Sequence, residues 1–504
     1  MKKIKNALIS VFYKDGLDQV LEVLNRYDIK FYSTGGTYDY IKRKGYEAQT
    51  IESLTSYPSI LGGRVKTLHP KVFGGILARR DKQEDQKHLE EYEIPLFDLV
   101  IVDLYPFEET LKSTNDSSAI IEKIDIGGIS LIRAAAKNFN DVLVVPSSAM
   151  YKNLIEVIDK NAGASTIEDR RYFAAQAFNV SSHYDTSIFN WMNPGNISTF
   201  KKSQGNENVL RYGENPHQKG IFYGDLDEVF EQLHGKAISY NNLLDLEAAI
   251  NLINDFDETT FAVIKHNNAC GLASRNDLKQ AWIDALAGDP VSAFGGVLVT
   301  NKEIDKATAE EINKIFFEII IAPGYENDAL EILKSKKNRI MLKKNSYNFP
   351  KHQFRSMLNG VLTQEKDVVT ESPADLKTVT KVSPTESQVA DLLFANKVVK
   401  HTKSNTIVLA KNKQLIGSGT GQTSRVDALR QAIDKARNFN LPLNDAVMAS
   451  DAFFPFADSV EIAHNAGINS VIQPGGSIRD KDSIAYCDNH GMAMVFTGIR
   501  HFKH

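Results

Sequence analysis

The sequence predicts an α/β fold: a first domain around a parallel sheet, then a longer region in which one α/β unit occurs twice. Three observations lead there. Short apolar runs of strand length alternate with amphipathic stretches through the first ~190 residues. A polar, aperiodic segment from Asn193 to Asn208, containing Pro194, Gly195 and Gly205, interrupts that alternation. Beyond it, Phe261–Gly271 leads into a helical Leu278–Ala287, and Thr406–Ala410 leads through a glycine-rich turn into Val426–Ala436. These two strand–turn–helix modules suggest a duplication, with chance likeness of α/β units as the rival explanation.

In order, Ala7–Val11 reads as a strand, Leu17–Tyr27 as a helix with apolar spacing of three and four, and Ile29–Tyr32 as a second strand. Leu99–Val102 and Val142–Val145 are further buried parallel strands. A chain of 504 residues exceeds what one core serves, so separate domains are expected at 1–194 and 209–504, joined by a linker at 195–208. The net charge of −4 provides no basic field for nucleic acid or an acidic membrane surface. Two cysteines, Cys270 and Cys487, cannot build a disulfide framework or a cysteine-rich zinc site. The basic start resembles a signal peptide, but Lys14 and Asp15 break its apolar continuation, and no apolar run approaches the ~20 residues of a membrane helix. A cytoplasmic protein is expected.

Candidate sites lie where the strands end. Ser33-Thr34-Gly35-Gly36-Thr37 stands between a strand and a helix, where backbone N–H groups, hydroxyls and the helix dipole suit an anion. An ordinary βα turn with an N-cap threonine explains it as well. Ser10 and Lys14 occupy the equivalent place after the first strand. Arg64, Lys66 and Thr67 follow in LGGRVKTLHP, Asp103 and Tyr105 in DLYPF, and Asp125, Gly127 and Gly128 in IDIGG. Arg133 and Lys137, four apart in LIRAAAKN, share a helix face. In the second region, Lys265 and His266 end the apolar run Phe261–Ile264. A lysine can hold a developing oxyanion and an imidazole can take a proton near neutral pH, although a strand end reaching water is the plainer alternative.

LGGRVKTLHP, DLYPF, IDIGG and LIRAAAKN, in this order, resemble the cyclohydrolase half of the bifunctional phosphoribosylaminoimidazolecarboxamide (AICAR) formyltransferase/IMP cyclohydrolase family. RYGENPHQ, SYNNLLDLEAA, KHNNACG, SAFGG, IAPGYE, TGQTSR, ASDAFFPF and TGIRHFKH resemble its transferase half, so the likeness spans essentially the whole chain. The resemblance implies a methylglyoxal-synthase-like first domain and a duplicated cytidine-deaminase-like second one. It implies formyl transfer from 10-formyltetrahydrofolate to AICAR, then dehydrative closure of formyl-AICAR to IMP. Lys265, His266 and Asn405 would serve the transfer; Lys66, Tyr105, Asp125 and Lys137 the closure. Arg211, Tyr212, Gly295, Gln422, Arg425, Phe453 and Arg500 match nucleotide-site positions, where arginine forks suit a phosphate. The resemblance further implies a homodimer, no tightly bound cofactor and no metal. The zinc-deaminase patterns H-x-E and P-C-x-x-C do not occur. Phe12, Phe73, Ala269 and Ala457 depart from the family pattern, Ala269 standing where a proline is usual. The alternative is a catalytically silent purine-nucleotide sensor on the same fold. A phosphate-eliminating lyase would leave about 300 residues without a role.

Overall fold

The computed structural model describes residues 1–504, which form two compact units, Met1–Gln204 and Gly205–His504. In the first unit, β1 (Asn6–Ser10), β2 (Lys30–Ser33), β3 (Ala48–Thr50), β4 (Leu99–Val102) and β5 (Leu143–Val145) form a parallel sheet in the order β3-β2-β1-β4-β5. Alternation along the strands sorts residues between two cores. Ala7, Ile9, Leu99, Ile101, Leu143 and Val145 pack with α1 (Leu17–Arg26) and a helix over Tyr151–Lys160. Leu8, Val100, Val102 and Val144 pack on the other face with helices over Pro70–Leu77 and Gly127–Lys137. The sheet order reverses beside β1, so its carboxyl edge opens a crevice there.

A helix over Ile167–Met192, capped by the reciprocal Thr166–Asp169 pair, completes this unit. The polar stretch read as a linker turns back on that helix: Ser203 Oγ lies 2.9 Å from His183 Nδ1, and Asn190 Nδ2 donates to Lys201 O.

The second unit is built on a twelve-stranded sheet, with two separate two-stranded pairs, Glu207–Val209 with Ile221–Tyr223 and His352–Met357 with Gly360–Glu365. The strands of the sheet are β6 (Phe230–His234), β7 (Thr260–Lys265), β8 (Asn268–Ser274), β9 (Val297–Thr300), β10 (Ile319–Ala322) and β11 (Ile340–Lys344), then β12 (Lys377–Thr378), β13 (Ile407–Lys411), β14 (Gln414–Gly419), β15 (Val447–Ser450), β16 (Ser470–Gln473) and β17 (Ala493–Phe496). The order is β6-β11-β10-β9-β7-β8 followed by β14-β13-β15-β16-β17-β12. Each half therefore has an antiparallel hairpin at the centre, three parallel strands outside it and an antiparallel strand at the edge. The duplication is a duplication of topology. Helices over Tyr240–Ile253 and Glu386–His401 share one core that spans both halves, whereas each half has its own core on the opposite face.

Two expectations change. The first strand–turn–helix module contains a second strand: the turn after Lys265 is only His266 and Asn267, both with positive φ, and Asn268 already begins β8. Gly271 is a strand residue, required because a Cβ there would lie 1.9 Å from Ala285 O of the helix over Leu278–Gly288. The glycine-rich turn after Ala410 is likewise β14, where a Cβ on Gly417 would lie 2.2 Å from Ala432 O. Ala269, which stands where the family usually has proline, is consequently a buried strand residue opposite Ile264.

Candidate functional site

At the carboxyl edge of the first sheet, three strand ends supply β1–Ser10, β2–Ser33 and the Asp103–Tyr105 stretch after β4. Ser33 Oγ donates to Ile9 O at 2.7 Å, and Thr37 Oγ1 donates to Val11 O at 2.9 Å. These hydroxyls knit β1 to the neighbouring turn, so what this turn offers an anion is chiefly backbone N–H. Thr34 caps the helix over Gly35–Arg43 without a side-chain bond, Gly35 takes φ +49°, and Gly36 has open space around it. Lys66 reaches this turn: its Nζ would be 3.7 Å from a Cβ on Gly35.

Asp125 is buried and folds back to accept the Gly128 N–H at 2.6 Å; a Cβ on Gly128 would strike its carboxylate at 2.8 Å, which explains that glycine. Burial raises the Asp125 pKa, opposed by backbone hydrogen bonds from Gly128, Ile129 and Tyr105 and by the charge of Lys66. Burial, then the charge of Asp125, raises the Tyr105 phenol. Thr67 Oγ1 lies 3.3 Å from where a Cβ on Gly127 would stand. Lys66, Thr67, Tyr105, Asp125, Gly127 and Gly128 thus form one cluster.

Other expected residues sit differently. Asp103 accepts the N–H groups of Phe12 and Tyr13, fixing the loop after β1, while Lys14 Nζ donates to Val11 O and Phe12 O. Arg64 pairs with Glu122. Lys137 closes the helix that Gly127 and Gly128 open, about 14–15 Å along its axis at 1.5 Å per residue, and is exposed. One chain does not bring Lys137 into the cluster.

In the second unit the β7–β8 turn presents Lys265 and His266. Lys265 Nζ donates to Phe294 O at 2.8 Å and lies 3.5 Å from where a Cβ on Gly295 would be; Gly295 also needs φ +68°. Beneath the turn, Asp245 accepts the Asn267 N–H at 2.7 Å. Burial raises the Asp245 pKa, with that hydrogen bond and the charges of His266 and Lys265 opposing. Asn268 Oδ1 then accepts the Lys403 N–H at 3.1 Å, joining the first half's turn to the second half's strand entry. Asn405 follows, its backbone exchanging hydrogen bonds of 3.2 Å in both directions with Gln422. Asn405 Nδ2 donates to Gln422 O and Thr423 O, leaving Oδ1 as the group it can offer. That group can accept an N–H from an incoming amine.

Arg425 is close by: Nη2 donates to buried Asp451 at 3.1 Å, while Nε is buried without a partner. Phe453, 37% exposed, lies two residues past Asp451. Arg500 stacks on Phe502 at 4.4 Å, and Arg211 on its neighbour Tyr212 at 5.4 Å. The Arg211–Gln218 loop is tied to the helix bearing Asp245 through Asn241 Nδ2 and Glu214 O. The structure thus gathers Lys265, His266, Gly295, Asn405, Gln422 and Arg425; Arg211, Tyr212, Phe453 and Arg500 lie on adjoining segments. Asp245, Asn268 and Asp451 escaped the sequence reading. Each lies in or beside a quoted motif, but its partner is distant in sequence.

Two α/β units, each collecting a lysine and acid–base partners at strand ends, define a two-site enzyme of the nucleotide-handling α/β class. The family model of the AICARFT/IMPCHase bienzyme matches residues 135–435, and that of the MGS-like domain residues 16–130. The bifunctional purine biosynthesis protein PurH of Bacteroides thetaiotaomicron is 63% identical over 503 residues, covering 100% of this chain and 99% of its own. PurH of Acetivibrio thermocellus is 46% identical over 521 residues, covering 99% and 100%. A crystal structure of ForH, 32% identical, covers 38% of this chain and 97% of its own with a TM-score of 0.34, which carries no argument about fold. This chain belongs to the AICARFT/IMPCHase bienzyme family.

Proposed function

We infer that this chain carries out the last two steps of IMP synthesis: formyl transfer from 10-formyltetrahydrofolate to AICAR, then dehydrative closure of formyl-AICAR. The observation that carries the reading is the meeting of the Lys265–His266 turn with the Asn405–Gln422 loop, through Asn268 and Lys403. In the transfer, the 5-amine of AICAR attacks the formyl carbon. Lys265, fixed by Phe294 O, stabilises the oxyanion; His266 takes the amine proton and returns it to the folate nitrogen as the old C–N bond breaks. Asn405 Oδ1 orients the amine. Arg425, held by Asp451, offers its remaining terminal guanidinium N–H groups to the phosphate, with Arg500, Arg211 and Tyr212 as further contacts and Phe453 beside the base.

We assign closure to the first unit. The carboxamide nitrogen attacks the formyl carbon of the same molecule, so proximity is already built in, and water leaves. Lys66 stabilises the oxyanion, the Gly35–Gly36 backbone with Ser10 and Thr67 faces the phosphate, and Asp125 and Tyr105 move protons; Lys14 and Arg64 would join the phosphate by leaving Val11 O, Phe12 O and Glu122, and the Gly128 N–H by leaving Asp125. Burial places the Asp125 carboxyl closer to neutral pH than an ordinary carboxylate, as proton exchange requires. Lys137 would have to act from outside the cluster seen in one chain.

Each half of the second unit is proposed to be cytidine-deaminase-like. We propose a homodimer and a cytoplasmic setting, with no tightly bound cofactor. No helix is long and apolar enough to cross a membrane. An isolated hairpin over His352–Met357 and Gly360–Glu365, exposed throughout and displaying Leu358, Val361 and Leu362, favours pairing because a lone hairpin is marginally stable. Incubation with AICAR and 10-formyltetrahydrofolate tests the function: IMP should accumulate. Tight AICAR binding without product would establish the sensor instead. Sedimentation tests the dimer.

A further inference from the structure

The segment after β17 carries a buried histidine between exposed neighbours. His501 is 2% exposed, while Arg500 and Phe502 reach the surface. Both ring nitrogens face carboxylates: Nδ1 lies 2.6 Å from Asp367 Oδ2, and Nε2 lies 2.9 Å from Glu371 Oε1. A carboxylate only accepts, so both nitrogens carry protons and the ring is an imidazolium. Burial pushes its pKa down, but the hydrogen bonds and charges of Asp367 and Glu371 outweigh this and raise it to about 9.

The surroundings tie this ring to the transfer site. Glu371 also accepts from Asn396 Nδ2 at 2.8 Å, on the helix over Glu386–His401. His501 N–H donates to Asp451 O at 3.1 Å, and Asp451 is the partner of Arg425. Lys503 N–H donates to Ser404 Oγ at 3.0 Å and its carbonyl accepts the Ser404 N–H at 2.9 Å, so the segment runs beside the residue preceding Asn405. Phe502 lies under both Arg500, at 4.4 Å, and Arg425, at 5.7 Å. The charged groups around the ring are Asp367, Glu371, Asp451 with Arg425, the cations Arg500 and Lys503 of its own segment, and Lys400, which pairs with Asp255 at 2.8 Å.

We propose that His501 is a charged peg: gripped by Asp367 and Glu371, it fixes the 500–503 segment so that Arg500 and Phe502 stand beside Arg425 and the Ser404–Asn405 loop. It is a positioning residue for AICAR binding in formyl transfer, and this rests on reading that site as the transferase site. Without the peg, ordering an exposed arginine and phenylalanine would have to be met at the moment of binding. The grip exists while the ring is protonated and is lost as pH rises through about 9.

The test is AICAR affinity by calorimetry beside steady-state kinetics. His501→Gln should weaken AICAR binding about tenfold and raise its KM similarly with kcat little changed, the mark of lost binding rather than lost chemistry. Closure of supplied formyl-AICAR should be unaltered. Asp367→Asn withdraws a half-exposed carboxylate without opening the core, and decides the matter should His501→Gln fail to fold. Wild-type AICAR binding should weaken as pH rises through about 9, and in Asp367→Asn that weakening should begin at lower pH. Wild-type affinity in folded His501→Gln, or an unmoved alkaline profile in Asp367→Asn, overturns the peg. A wild-type protein that binds AICAR yet makes no formyl-AICAR overturns the transferase reading instead, and the affinity comparison still decides the peg.

Discussion

In the first half of the second unit, β7 enters its turn through Lys265, His266 and Asn267; in the second half, β13 enters through Lys411, Asn412 and Lys413. The backbones are alike in detail. Val263 opposes Leu298 and Leu409 opposes Met448, and the register shifts after both residues. His266 and Asn267 have φ of 49° and 65°, Asn412 and Lys413 both 52°. Lys265 Nζ donates to Phe294 O, and Lys411 Nζ to Asn444 O. Asp245 and Asp391, each six residues past a capping-box residue, Ser239 and Thr385, hold the two turns from below.

The difference lies in the side chains and in what they meet. The first turn carries an imidazole and meets the Lys403–Asn405 loop. The second carries an amide, and Lys413 pairs with Glu258 at 2.5 Å beside a cavity of about 770 Å³ lined also by Arg275 and Asp391. Arg275 is itself held by Asp284 at 2.5 Å. The duplicated backbone supplies a rigid stage twice, each with a lysine on a backbone carbonyl; a titratable ring and the Lys403–Asn405 loop beside it equip only one of them for acyl chemistry.

Substitutions can break this asymmetry. The largest effect is expected from making the first turn resemble the second: His266→Asn should lower kcat for formyl transfer by roughly 10²–10⁴, and Lys265→Ala by about 10²–10³. Closure of supplied formyl-AICAR should continue in both. Lys411→Ala, the matching change in the other half, should leave both activities intact; a comparable loss there would mean that the two turns share the chemistry. Gly271→Ala and Gly417→Ala should each destabilise the second unit by about 2–4 kcal/mol, because neither Ala285 O nor Ala432 O can move without its helix. Thermal or urea unfolding reads this, and unequal losses would show the halves less alike than their register suggests. Asp245→Asn should cost on the order of tenfold in transfer by loosening the turn, whereas Asp391→Asn should not alter turnover. The smallest effect is expected of Asn412→His: an imidazole restored without the neighbouring loop should leave formyl transfer unchanged.

Much of the fold was legible because burial on both faces writes continuous apolar runs. Leu99–Val102 begins and ends as the sequence reading placed it, and the helix from Leu278 extends one residue beyond. What misled was glycine. Gly271 and Gly417 read as turn residues, yet they sit mid-strand to admit a helix backbone, a reason invisible to local pattern. Among the candidate site residues, Lys265 and His266 were singled out by their place at the end of an apolar run, and Lys66 and Asp125 by their glycine-bounded motifs between helices. Lys137 was grouped with them by motif alone, and the length of its helix separates them.

The sequence by itself determined the alternation of strands and helices, the duplicated second region and the residue types available for acyl and proton transfer, since these depend on local periodicity and chemistry. Tertiary structure alone decided which partners those residues meet. Asp245 under Asn267, Lys403 on Asn268, Arg425 on Asp451 and His501 between Asp367 and Glu371 join positions 22 to 135 residues apart. Hydrogen bonds of that kind follow from how sheets and helices pack, and local sequence places no constraint on them.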